Sequence, residues 1–557
     1  MGRKRIIPVL IGVCVICLAW AGYAFYRFER HQMYVRNGRQ ALDRADYTSA
    51  RAFAQRAVVD RANDIDACRL MADVEEALNS PNALNWRRRA TQLEPGNLSN
   101  YLSWAETAFK LGNAGLALKA LDSAPKASKA NANWYDLLGR TQVALGQFAD
   151  AEASFSEAVR LAPGNDAYQI NLSSLGLQFG DPSSVAEAQH QLEKLAKSGP
   201  EGIKALRALL RDALNRNELD RARAYAGMIE TRADATFDDS LLVLEVRTRD
   251  GQSGEALDRM KQRAVAEPRD AVALAYWLIG HGRANEAAAW LQDHYELASS
   301  PVILQMAHAD ALMTGGKWSE LESRLSRQKW SDSDYLRLAS ISRALRARQA
   351  PGFIDAWVLA SEAARSDQSS SFRLGVIALS WGWKEEAADL FWRVADTAPA
   401  WRPQALWLLW QVFRADRNAT GLLRVASNQH KDEPDDIRYK NNYAYYLLLL
   451  NLDITRARQL AEECWRQEPL QPNVASTYAF ALYRFDKFAE GVQVLEKLPD
   501  KELTAPNIAL YYSLLLNAAG QRDKARHYLA LVQKTDRLLP EELALANTLT
   551  ANLANTN

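Results

Sequence analysis

Residues 132–165 read ANWYDLLGRTQVALGQFADAEASFSEAVRLAPGN, and this stretch decides the fold. Apolar residues recur at helical spacing on both sides of a turn at 146–148, so two helices are predicted. Gly139 on the first helix and Ala151 on the second leave room for close approach, and Pro163 cannot continue the second helix. The stretch therefore predicts a hairpin of two packed helices.

The same pattern of small and large residues recurs in register along the chain. It is found again at 98–131, 368–401, 472–505 and from 506 onward. Several matches at a spacing of about 34 residues predict helical hairpins that stack on one another. Between 166 and 367 the pattern is degenerate, although the second helix of the unit remains recognisable in places.

This unit resembles the tetratricopeptide repeat (TPR), with small, large and small residues at the positions of that family and a terminal proline. It departs from the family at Gln142, where an aromatic residue is usual. Residues 31–540 have room for about 13 to 15 such units. The expected fold is all-α: a right-handed solenoid of these hairpins after one N-terminal transmembrane helix.

We expect the solenoid to be continuous, with a repeat pattern that is regular in some segments and degenerate in others. The predicted segments are a front TPR array, a degenerate TPR-like part, a rear TPR array, and a capping helix with a polar tail; they span residues 31–200, 201–367, 368–540 and 541–557.

The N-terminus predicts a membrane anchor. Residues 6–26 carry no charge and are long enough to span a bilayer as a helix. A basic tail at 1–5 precedes this stretch and favours a C-terminal body on the periplasmic side of a bacterial inner membrane. The arginines that follow the span are compatible with the alternative of a cytoplasmic body. The A-x-A-like triplet at 19–21 is compatible with a second alternative, a signal peptide that is cleaved.

Composition and motifs exclude several classes of function. A net charge of +1 argues against a nucleic-acid partner. No catalytic motif is recognisable, and 315–317 lacks the first glycine and the hydroxyl residue of a phosphate loop. The scattered histidines lack a carboxylate array that would complete a metal site. We therefore predict no enzymatic activity, no cofactor and no metal.

The resemblance to TPR proteins implies a groove that is lined by fixed positions of each first helix and binds protein segments. Transferred to the rear array, those positions are Asn441, Asn442, Tyr445, Ser476, Phe480, Tyr483, Arg484, Asn507 and Asn517. Paired side-chain amides suit the N–H and C=O groups of a bound chain. An alternative is that Asn441 and Asn442 only begin a helix. Repeat arrays also self-associate, so the apolar stretch 443–450 has two interpretations. It is either the contact of a homo-oligomer or a buried helix.

Tryptophan is abundant, with 16 residues in the chain. A cluster in the rear array could form an exposed aromatic patch or fill gaps between hairpins. The patch would comprise Trp381, Trp383, Trp401, Trp407 and Trp410.

Together these features predict a membrane-anchored bacterial scaffold or adaptor that binds proteins or peptides. Envelope assembly, protein export and polysaccharide secretion are the processes we consider. The alternative is a subunit that contacts carbohydrate or peptidoglycan through the Trp-rich segment 381–410.

Overall fold

The computed structural model describes residues 3–554 apart from 45, 79, 81, 126–129, 198, 200, 400 and 533–537; the side chains of 3–19, 21, 24 and 366 also lie outside the description. Within this part of the chain every regular element is helical, which confirms the all-α prediction. The chain forms two compact units, Met1–Ala360 and Ser361–Asn557.

The first unit consists of consecutive helices, the last of which continues past Ala360. They are α1 (Arg3–Asp43), α2 (Tyr47–Asp60), α3 (Ile65–Ala77), α4 (Asn82–Leu93), α5 (Leu98–Lys110), α6 (Ala114–Asp122), α7 (Ala132–Ala144), α8 (Phe148–Leu161), α9 (Asp166–Phe179), α10 (Pro182–Ala196), α11 (Gly202–Asn215), α12 (Leu219–Glu230), α13 (Phe237–Arg249), α14 (Ser253–Ala264), α15 (Pro268–Gly280), α16 (Ala284–His294), α17 (Val302–Thr314), α18 (Trp318–Leu325), α19 (Asp334–Ala347) and α20 (Phe353–Ala363).

The second unit continues the same alternation of helices and short turns. Its helices are α21 (Gln368–Ser380), α22 (Lys384–Thr397), α23 (Arg402–Ala415), α24 (Ala419–Asp432), α25 (Ile437–Leu449), α26 (Ile454–Gln467), α27 (Pro472–Arg484), α28 (Phe488–Leu495), α29 (Asp500–Leu503), α30 (Pro506–Ala518), α31 (Arg522–Val532) and α32 (Pro540–Ala554).

Helices pack in sequence order within each unit. First helices contact the second helix of their own hairpin, as α7 contacts α8 and α21 contacts α22. First helices also contact the next first helix, as α15 contacts α17 and α25 contacts α27. This is the packing of a TPR-like solenoid, so the helical-hairpin prediction is confirmed.

Close approach inside a hairpin depends on a small residue facing a large one. A Cβ added to Gly139 would lie 2.7 Å from the ring of Phe155, and one added to Gly375 would lie 2.7 Å from the ring of Phe391. Both rings are almost wholly buried. The glycine on the first helix therefore makes the space that the ring from the second helix fills.

Several hairpin turns contain a residue in the left-handed region. Gly146, after α7, has φ of 75°, which glycine adopts without steric cost. In the second unit Arg417 and Asp486 take the corresponding position with φ of 53° and 58°. A side chain in this conformation is strained, so these turns are held by the packing on either side of them.

The N-terminal predictions fall largely outside the residues whose side chains are described. These predictions are the basic tail 1–5 and most of the membrane span 6–26. In the part of the chain that could be searched, no helix combines the length and apolar character needed to cross a bilayer.

Polar pairs connect equivalent first helices of successive hairpins. Lys110 Nζ donates to Glu76 Oε1 over 2.8 Å, and the two residues are 34 positions apart. Tyr276 likewise donates to Asp310 Oδ2 over 2.6 Å across 34 positions. One repeat length thus brings each donor beside an acceptor on the neighbouring first helix.

Glu76 is the most strongly perturbed of these carboxylates. Burial alone would raise the pKa of Glu76, but hydrogen bonds from Lys110, Thr107 and Arg87 outweigh it and lower the pKa to about 2. The pKa of the Glu76 carboxyl is higher in the unfolded chain, so folding stabilises the ionised form of this side chain. The stabilisation is complete above the unfolded pKa and is lost as the pH falls towards 2.

We predict that Glu76→Gln lowers the free energy of unfolding at pH 6 by on the order of 2 kcal/mol, because the ionised acceptor is removed. The difference in unfolding free energy between the variant and the unmodified chain should shrink between about pH 4.5 and pH 2, because Glu76 becomes protonated in the unfolded chain over this range while it stays ionised in the folded protein. Urea unfolding at a series of pH values, followed by circular dichroism, measures both effects. Glu152→Gln is the matched control, since Glu152 is exposed on α8 and forms no ion pair among the described residues. A constant difference across this pH range would contradict the assignment.

Candidate functional site

A cavity of about 670 Å³ opens on the first helices of the second unit. Its walls come from α23, α25, α27 and α30, and α32 closes one side. We call this cavity the rear groove. Five of the nine predicted groove residues line it: Asn441, Asn442, Tyr445, Ser476 and Asn507.

Side-chain amides form one wall of the rear groove. Asn507 Nδ2 donates to Asn473 Oδ1 over 3.4 Å, and these two residues occupy the same position of successive repeats, 34 residues apart. Asn441 is buried, and its Oδ1 accepts no hydrogen bond from the described part of the protein. A buried amide oxygen without a donor is costly. The amides of Asn442, Asn473 and Asn507, which also line the cavity and are not buried, offer donors and acceptors to a bound segment.

A cluster of hydroxyl and carboxyl groups forms the closed side of the rear groove. Tyr445 donates to Glu542 Oε1 over 2.5 Å, and Tyr511 lies 3.2 Å from the same oxygen and 3.0 Å from the Tyr445 hydroxyl. Leu539 N donates to Glu542 Oε2 over 2.8 Å, which caps the start of α32. Helix α32 is thereby fixed to α25 and α30.

The two phenols of this cluster are kept protonated. Burial and the neighbouring carboxylate of Glu542 raise the pKa of Tyr445 and of Tyr511 well above the usual value. A protonated phenol donates its hydrogen, and Glu542 is only 4% exposed, so the carboxylate depends on these donors in place of water.

Two arginines near the rear groove have no carboxylate partner among the described residues. Arg414 lines the cavity and is exposed. Arg484 is half-buried with its guanidinium 5.0 Å from the centre of the Phe480 ring, and its Nε lacks a hydrogen bond in the described structure. Burial lowers the pKa of Arg484, although arginine keeps its proton in proteins. Arg414 is thus a cation on the groove wall without an ion-pair partner in the described part of the chain, and Glu542 on the closed side carries the opposite charge.

The remaining predicted groove residues lie outside the cavity lining. Phe480 is wholly buried and packs against Tyr483 and Tyr511, so its ring offers no surface to a partner in this structure. Tyr483 is half-buried, and Asn517 lies in the last turn of α30. The stretch 443–450, considered for self-association, is largely buried inside α25.

The Trp-rich segment is divided between the interior and the surface. Trp383 is buried and packs edge to face against Trp381 at 5.1 Å between ring centroids. Trp401 stacks on Phe372 at 4.4 Å. These three tryptophans are half-buried or buried, so they fill gaps between hairpins.

Only one of the five predicted patch residues is well exposed. Trp407 exposes 58% of its surface, whereas Trp410 is half-buried and lines the rear groove. The five rings therefore do not form one exposed surface in this structure.

The described residues contain no cluster of three or more histidine, cysteine or acidic side chains able to hold a metal ion. Cys68 and Cys464 are both buried free thiols. Burial raises the pKa of Cys464 to about 11, so this thiol stays protonated at neutral pH.

Sequence reasoning missed several residues of the rear groove. Asn473 could have been found, because it shares its repeat position with Asn507. Arg414 and Tyr511 also lie on first helices and carry the polar chemistry of a groove. No sequence pattern predicted Glu542. It contacts Tyr445 of α25, 97 positions earlier, and the repeat spacing does not predict a contact over that distance.

Comparisons with known proteins agree with the repeat. Residues 116–236 match the family model described as the TPR domain of cytochrome c-type biogenesis protein H. A TPR-type repeat is therefore present in this chain. A search of curated proteins found no significant match.

Several solved structures are similar to part of the chain. Pseudomonas aeruginosa pilF has a TM-score of 0.32 at 17% identity, covering 40% of this chain and 99% of that one. MamA from Desulfovibrio magneticus RS-1 has a TM-score of 0.29 at 20% identity, covering 31% and 97%. A tetratricopeptide repeat protein from Parabacteroides merdae has a TM-score of 0.36 at 11% identity, covering 51% and 99%.

We predict that Tyr511→Phe loosens α32, because Glu542 loses a donor while it stays buried. The cost should be about 1–3 kcal/mol, which corresponds to roughly tenfold to hundredfold faster hydrogen exchange of the α32 amides. Tyr512→Phe is the control: its hydroxyl donates to Glu496 over 3.1 Å and is not one of the donors to Glu542. Equal exchange of α32 in the two variants would show that the cluster does not hold the helix.

Proposed function

We propose that the chain is a non-enzymatic scaffold that binds segments of partner proteins in the rear groove. The TPR fold supports protein partners in general. The observation that carries the proposal is the cavity of about 670 Å³ lined by the side-chain amides of Asn441, Asn442, Asn473 and Asn507.

The chemistry of the rear groove favours an extended polar segment with an acidic side chain. Asparagine offers both a donor and an acceptor, which matches the alternating N–H and C=O groups of an extended backbone. Arg414 lines the groove and forms no ion pair with a carboxylate among the described residues, so an acidic residue of the bound segment would supply one. The Trp-rich segment supports a carbohydrate role less well, because Trp407 alone is well exposed among the five rings.

We further propose that residues 6–26 anchor the chain in a bacterial inner membrane, with the C-terminal body in the periplasm. The uncharged stretch and the basic residues before it support this orientation. The process served would be envelope assembly, export or polysaccharide secretion. The match to a biogenesis protein over 116–236 favours assembly among these.

Photo-crosslinking tests the groove. We expect a photoreactive phenylalanine analogue at Asn442 or at Asn507 to capture the same partner in intact cells, because both residues line the rear groove. Gln459 and Gln493 are the matched positions, since both are exposed on the second helices α26 and α28. Adding Asn441→Ala and Asn473→Ala should reduce capture from the groove positions about tenfold, as the amide wall is lost.

Equal capture from the groove positions and from Gln459 and Gln493 would contradict groove binding. Capture that survives the two alanine substitutions unchanged would also contradict it, provided that circular dichroism shows the variant to be as helical as the unmodified chain.

Cell fractionation tests the anchor. We predict that the full chain sediments with membranes and that a chain lacking 1–26 stays in the soluble fraction, because the only long uncharged stretch has been removed. A protease added to spheroplasts should degrade the body of the full chain if it is periplasmic. Protection from the protease until the inner membrane is broken would place the body in the cytoplasm.

A further inference from the structure

A second cavity lies in the first unit, between α12, α13 and α14. Its volume is about 330 Å³, which lies within the range of small-ligand sites. The floor is apolar and consists of side chains that are otherwise nearly enclosed by the protein: Ile229, Val243, Leu244 and Met260. We call this cavity the arginine pocket, because four arginines line it.

The repeat itself explains why a cavity opens here. Leu244 holds the position that Gly139 holds in α7, and Met260 holds the position of Phe155, since both pairs are 16 residues apart at the same places in their helices. A leucine side chain fills the space that glycine leaves free, so α13 and α14 cannot approach as α7 and α8 do. Both Leu244 and Met260 line the pocket.

Two of the four arginines are neutralised by their own neighbours. Arg232 forms an ion pair with Asp234 at 2.8 Å. Arg247 forms an ion pair with Glu230 at 3.1 Å. These pairs account for their charges without any ligand.

The other two arginines have no carboxylate in the described structure. Arg263 donates to the Ser240 hydroxyl over 3.0 Å and lies 5.5 Å from the centre of the Phe237 ring. Arg259 lines the pocket and forms neither a hydrogen bond nor an ion pair with the described residues. The whole chain is close to neutral, with a net charge of +1, so this local excess of positive charge does not reflect composition.

We propose that the arginine pocket binds an anionic amphiphile, with a phosphate group on Arg259 and Arg263 and a short apolar chain on Ile229, Leu244 and Met260. Guanidinium groups bind phosphate oxygens through paired hydrogen bonds, which Arg259 has free to offer. The apolar floor removes hydrocarbon from water beside that charge. The site lies in the first unit and does not depend on the rear groove.

Calorimetric titration of the purified full chain with octyl phosphate tests the site. Inorganic phosphate and octyl glucoside supply the charged head alone and the hydrocarbon chain alone. We expect octyl phosphate to bind at least about tenfold more tightly than either. Inorganic phosphate lacks the hydrocarbon chain, of which one buried methylene alone changes affinity about fourfold, and octyl glucoside lacks the charged group that the arginines bind. The double variant Arg259→Gln and Arg263→Gln should weaken binding at least about tenfold.

The matched control is the double variant Arg211→Gln and Arg269→Gln. Both residues are exposed on α11 and α15, they do not line the pocket, and the change in net charge is the same. Octyl phosphate should bind this variant as it binds the unmodified chain. An equal loss in both double variants would overturn the proposal, since general charge attraction would then explain the binding. Inorganic phosphate or octyl glucoside binding as tightly as octyl phosphate would overturn it as well.

Phosphate next to hydrocarbon occurs both in anionic lipids and in soluble phosphate esters. Competition between octyl phosphate and dihexanoyl phosphatidic acid distinguishes these sources. Tighter binding of the two-chain lipid supports a lipid source, and tighter binding of the single-chain ester supports a soluble one. Failure of both to bind overturns the proposal.

Discussion

The close contact between a small residue on one helix and a ring on the next is the constraint on which the structure depends. Gly139 with Phe155 and Gly375 with Phe391 repeat it in both units. No β carbon fits at either glycine, and the buried rings leave no space around them. The contact sets the distance between the helices of a hairpin, and every other feature of the repeat adapts to that distance.

Polar pairs between first helices add a second, weaker constraint. Lys110 with Glu76 and Tyr276 with Asp310 are both separated by one repeat length. Such pairs contribute little by themselves at an exposed surface. They nevertheless favour one alignment of neighbouring hairpins over a shifted one, because a shift by one residue would move donor and acceptor to different faces of their helices.

The sequence was sufficient to predict the hairpins, and five of the nine residues predicted for the groove line the cavity. Spacing and small residues predicted α7 with α8 and α21 with α22, because these contacts are local and recur. Asn441, Asn442 and Ser476 were placed in the groove through repeat positions alone. Phe480 was predicted to face a partner but is buried, and Tyr511 of α30 packs against its ring.

Other features could not be read from the repeat. The arginine pocket arises from a leucine at a position where the better repeats carry a small residue, and a degenerate pattern does not reveal whether the space closes or opens. The left-handed Arg417 and Asp486 are likewise compatible with many turns by sequence and are fixed only by packing.

The contact between Glu542 and Tyr445 has a consequence for how the second unit unfolds. Repeat arrays are held by neighbour contacts, so their ends fray independently of their middles. Helix α32 instead connects residues 97 positions apart. The intervening hairpins are enclosed in one loop, and any opening that withdraws Tyr445, Tyr511 or Glu542 breaks the contacts that close it. We therefore expect this part of the chain to melt as one cooperative block, and α32 must be synthesised before the block can form.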